Sequence, residues 1–93
     1  MDIVWDGRKN RRLKATRGVS FEDIEPIILE ERYLAVIKNP SRPGQMIFLV
    51  PYKGYTYVVP FAIDADGNIV LKTIFPSRKF HRLSGIKEDE NQA

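Results

Sequence analysis

Four β-favouring runs joined by short turn segments constrain this chain most. Tyr33–Lys38, Gln45–Pro51, Tyr55–Ile63 and Ile69–Phe75 are rich in Val, Ile, Tyr and Phe. Between them stand Asn39-Pro40-Ser41-Arg42-Pro43-Gly44, then Lys53-Gly54, then Asp64-Ala65-Asp66-Gly67-Asn68. Such residues favour turns, each through its own backbone chemistry. Parallel neighbours need a crossover of a dozen or more residues, and these connections are too short for one. The last two-thirds of the chain is therefore expected to be a twisted four-stranded antiparallel meander. Pro60, inside the third run, predicts a bulge or a missing ladder bond.

The first third has a different period. Ile3-Val4-Trp5 reads as a short strand and Asp6 as an N-cap. Gly7 to Arg17 then reads as a helix stopped at Gly18. Leu13 and Ala15 are nearly its whole apolar surface, so most of it faces solvent or a partner. Ser20 caps a second helix, with Asp23 in its first turn and Val19 placed to staple onto Ile24. Ile24, Ile27 and Ile28 form its core stripe, and Pro26 is expected to kink or shorten it. Ser77 caps a short last helix through Leu83. The expected class is α+β: a strand and two helices, then the sheet with the helices on one face, then a short C-terminal helix. One domain over 1–87 followed by a frayed acidic tail, 88–93, accounts for all 93 residues.

Composition removes several functions. There is no cysteine, so disulfides and thiolate chemistry are excluded and a cytoplasmic home is expected. No apolar run approaches the roughly 20 residues that span a bilayer, and the N-terminus has no hydrophobic signal segment, so no membrane partner is expected. The net charge of +3 conceals an uneven chain. Residues 1–20 carry six cations (Arg8, Lys9, Arg11, Arg12, Lys14, Arg17) against Asp2 and Asp6. Residues 72–87 carry five (Lys72, Arg78, Lys79, Arg82, Lys87) and no acid, while the middle is mildly acidic. Brought together, the two basic blocks make a footprint for nucleic acid; kept apart, they are two solvated faces.

The run from Val70 to Arg82 delivers Lys72, Arg78, Lys79 and the only histidine, His81, to the end of a strand. Cations on a rigid support suit phosphate. No glycine-rich phosphate loop, nucleophile elbow or convergent carboxylate set is legible, so neither a metal nor any other cofactor is expected. Asp64–Asn68 fails as a calcium loop, because the twelfth position is Phe75, and reads as a hairpin turn. RNA carries its own nucleophile. A 2′-hydroxyl beside the phosphate needs in-line positioning, proton transfer and cations on the phosphoryl oxygens. Histidine is the side chain that titrates near neutrality, which makes His81 a candidate proton carrier, set against an ordinary packing role. Tyr52 and Tyr55, near a turn, are candidate base-stacking or proton-donating groups, set against aromatics filling a sheet.

These residues resemble a known family. Trp5-Asp6, Lys9-Asn10 and Arg17-Gly18-Val19-Ser20-Phe21 are similar to the opening of BrnT-type toxins, and Leu71 to Lys79 is similar to their closing strand. The resemblance implies a RelE-like fold and the toxin of a type II toxin–antitoxin pair. Such a toxin is an endoribonuclease that arrests translation. A cognate antitoxin neutralises it and makes the contact with operator DNA. By the same resemblance Lys72, Arg78 and Lys79 are candidates for holding the phosphate or stabilising the transition state, with His81 added from its chemistry. Lys9, Arg12, Arg17, Tyr52 and Tyr55 are candidate RNA contacts. Arg17 stands where the family often has histidine. A non-catalytic nucleic-acid-binding module and a gyrase-directed toxin are the other functions this reading leaves open.

Overall fold

The computed structural model describes residues 1–83, so the expected tail lies outside the described residues. Strand β1 is Ile3–Val4, and Asp6 then starts helix α1, Gly7–Arg17. The Asp6 carboxylate accepts from the backbone N–H groups of Arg8 at 2.8 Å and Lys9 at 3.3 Å. Those two bonds, the Lys9 one foremost, hold its carboxyl below the ordinary value of 3.8. Gly18 closes α1 at φ 66°, a left-handed conformation that glycine reaches without strain. Helix α2, Phe21–Leu29, opens on a full capping box: Ser20 Oγ accepts from Asp23 N and the Asp23 carboxylate accepts from Ser20 N. Pro26 does not end it. The helix runs one further turn to Leu29, and the Pro26 carbonyl accepts from Glu30 N at 3.0 Å.

The meander follows as β2 Ala35–Lys38, β3 Met46–Tyr52, β4 Tyr55–Ile63 and β5 Ile69–Leu71. Two more elements close the described chain: β6 Phe75–Pro76 and α3 Arg78–Leu83. The sheet order is β1-β5-β4-β3-β2, with β6 beside β4. Neighbours in the meander are antiparallel as expected, and β1 adds a parallel edge to β5. The β3–β4 hairpin turns on Lys53 and Gly54, both at positive φ (50° and 77°), the signature of the tight turn that matches strand twist.

One expectation needs correction. Ile69–Phe75 is not a single strand. Phe61 pairs with Leu71 and Val58 pairs with Phe75, so two residues of β4, Val59 and Pro60, face three: Lys72, Thr73 and Ile74. This is a β-bulge. Its cause is Pro60. The Lys72 N–H donates to the Pro60 carbonyl at 2.8 Å, so this segment lies on the side where Pro60 would have offered its own N–H, and proline has none. The ladder cannot continue there, and the sheet gains a sixth strand in place of a longer fifth.

The bulge changes which face each residue takes. Leu71 and Ile74, three apart, both lie in the main core. That core joins the helices' Leu13, Phe21, Ile24, Ile27 and Ile28 to Phe48, Val50, Val59 and Phe61 of the sheet. Trp5 stacks on Phe21 at 5.6 Å, and Phe48 on Phe61 at 4.1 Å. The opposite face carries a smaller cluster, Ile47, Leu49 and Val58, against which Phe80 of α3 packs.

Candidate nucleic-acid interface

The second face of the sheet bears a cleft of about 610 Å³. Ile47, Val58 and Pro60 make its apolar floor, and Phe75 and Phe80 add aromatic surface. The turn after β2 contributes Asn39, Ser41, Arg42 and Gln45. Lys9 of α1 and Lys72 and Thr73 of the bulge complete the lining. In a regular strand adjacent residues point to opposite faces. The extra residue of the bulge instead lets Lys72 and Thr73 line the same cleft.

Lys9 reaches the cleft because α1 is fixed in roll about its axis. The next residue, Asn10, is buried, with its Oδ1 accepting from the first N–H of α2, Phe21 N, at 2.7 Å. Its Nδ2 donates to Glu22 Oε1 at 2.9 Å. This bond, ahead of the smaller help from Ser20 and Lys14, holds the Glu22 carboxyl below 4.5. At the C-terminal end of α1, the Arg17 guanidinium donates to the Ile74 carbonyl, the peptide that ends the bulge.

The expected residues are thus partly assembled. Lys9 and Lys72, from the two basic blocks, meet in one cleft. Arg78 and Lys79 are exposed on α3 beside it; Lys79 Nζ stands 5.9 Å from the ring centre of Phe80, a cleft residue. Arg12 is exposed on α1 and does not line the cleft. Tyr52 packs edge-on against Tyr57 at 5.9 Å at the far end of the hairpin. His81 is buried at 1% exposure, its Nδ1 3.1 Å from Thr56 Oγ1 and its ring stacked 4.3 Å from Tyr55. In this position His81 and Tyr55 fasten α3 to β4. Asp64 is occupied by its turn, accepting from Asp66 N and Asn68 N, each at 2.9 Å.

Sequence reasoning missed Arg42, Asn39 and Gln45. The available signal was the β2–β3 connection, the longest of the three and stiffened by Pro40 and Pro43 around a cation. Phe75 and Phe80 carry no sequence signal for a cleft, since either could have joined the core.

No family model matches the chain, and no curated protein does. Among solved structures, the ribonuclease toxin BrnT of Brucella abortus superposes with a TM-score of 0.63 over 83% of this chain and 96% of that one, at 19% identity. The opening and closing segments pointed to this fold, and the chain carries it: the α+β fold of BrnT.

Proposed function

We propose that this protein is the toxin of a toxin–antitoxin pair and cleaves RNA in the cleft between α1, the bulge and the Asn39–Gln45 turn. One observation carries the reading: the bulge sets Lys72 and Thr73 together in the cleft that Lys9 also lines, on a fold shared with a ribonuclease toxin. Lys9, Lys72 and Arg42 hold the scissile phosphate. A neighbouring base lies against Phe75 and Phe80. The 2′-oxygen bonds to phosphorus and the bond to the 5′-oxygen breaks, leaving a 2′,3′-cyclic phosphate and a 5′-hydroxyl. The cations stabilise charge on the phosphoryl oxygens; a lysine ammonium gives its proton to the departing 5′-oxygen, and the amine so left takes up, by way of water, the proton that the 2′-hydroxyl gives up. Arg78 and Lys79 meet the flanking phosphates. The antitoxin covers this basic face, and through it the complex reaches operator DNA.

The test is incubation of purified protein with RNA, mapping of new 5′ ends, and the same assay on Lys72→Ala. Specific cleavage that falls at least 100-fold in the variant is expected. RNA recovered intact from long incubation of wild-type protein refutes the reading. It would favour a module that binds nucleic acid without cutting it, the alternative supported by the seat of His81 and Tyr55 outside the cleft.

A further inference from the structure

The bulge that faces Lys72 and Thr73 into the cleft is held from both sides. On the sheet side, Lys72 N bonds to the Pro60 carbonyl at 2.8 Å. On the other side the Ile74 carbonyl has left the regular ladder and accepts from the Arg17 guanidinium, 57 residues away in sequence. A backbone carbonyl at a bulge must find a donor or water. Arg17 supplies one from the C-terminal end of α1, the same helix that brings Lys9 to the cleft. Arg17 does not itself line the cleft.

We propose that Arg17 is a positioning residue, a clamp that fixes the bulge so that Lys72 and Thr73 meet Lys9 of α1 at a set distance. This rests on the reading of the cleft as the RNA site. It also reassigns Arg17 from the RNA-contacting role that its charge suggests. Acting through a peptide carbonyl, Arg17 controls the orientation of two neighbouring side chains, and catalysis is sensitive to such placement.

Arg17→Ala, Arg17→Lys and Lys72→Ala are compared with wild type, at a temperature where melting curves show each to be folded. A clamp predicts that Arg17→Ala lowers kcat at least tenfold with KM within about twofold, and that Arg17→Lys, which keeps one donor, recovers part of it. The salt dependence of binding to a single-stranded oligonucleotide stays as in wild type. Loss of a phosphate contact would instead reduce the log–log slope by about 0.7. Amide exchange at Lys72, whose N–H bonds to the Pro60 carbonyl, quickens in Arg17→Ala and is restored by lysine.

A lower slope with raised KM overturns the clamp in favour of direct contact. Unchanged kcat overturns it too. Wild-type cleavage by Lys72→Ala sinks the cleft reading instead, and exchange then decides the clamp alone: unaltered protection at Lys72 in Arg17→Ala refutes it.

Discussion

Asn10→Ala tests the junction on which the placement of Lys9 depends. Asn10 is 4% exposed, and its side chain accepts from the buried N–H of Phe21. Alanine is too short to replace that acceptor, and the site is closed to bulk water. A buried donor left without a partner costs about 1–3 kcal/mol. For a domain of this size 1 kcal/mol moves the melting temperature by about 5 °C, so a fall of roughly 5–15 °C is expected. Glu22 is exposed and rehydrates, so its lost bond is not added. It gives a second signal instead. Removing its main hydrogen bond lets the carboxyl pKa rise toward its ordinary value, a change read by carbon-detected NMR titration. Asn10→Asp keeps the acceptor for Phe21 but sets a second carboxylate against Glu22. Its folded-state pKa values rise, so its deficit shrinks as pH falls. A melting temperature within 2 °C of wild type in Asn10→Ala, with Glu22 titrating unchanged, would refute the argument that this side chain joins the two helices.

Three further outcomes are expected. His81→Ala empties a buried seat between Thr56 and Tyr55 and should cost about 2–3 kcal/mol in urea unfolding; a variant as stable as wild type would contradict a packing role. Gly18→Ala forces a side chain into φ 66° and should cost about 1 kcal/mol, near 5 °C in a thermal melt, from strain alone, since nothing lies within 4 Å of the added carbon. Asp6, Glu22 and Asp64 all have lowered carboxyl pKa values, so their stabilisation is present above the ordinary 3.8, 4.5 and 3.8 and is lost as pH falls through the depressed folded values. Melting temperature should therefore decline below about pH 4.5, and Asp64→Asn should flatten part of that decline.

The local devices were legible in advance because each is a short-range matter. Asp6, Gly18, Ser20, Lys53-Gly54 and Ser77 each satisfy or turn their own backbone within a few residues, and the structure uses each where the sequence puts it. Charge pattern also identified two basic blocks, and Lys9 and Lys72 from them share one cleft. The sequence left His81 undecided for an equally physical reason. Its chemistry suits proton transfer, but chemistry does not reveal burial, and α3 turns its ring into the contact with β4.

The sequence by itself determined the α+β class, the helix starts, the hairpins and the cationic character of the chain. Only the tertiary structure decided the cleft. Pro60 announces an interruption, but whether the interruption falls in its own strand or across from it depends on which neighbour its missing N–H would have served. It falls across, at Lys72–Ile74, and that choice seats Leu71 and Ile74 in the core while Lys72 and Thr73 line the cleft. The clamp from Arg17 to Ile74 spans 57 residues, and a bond of that reach exists only once the helix lies beside the bulge.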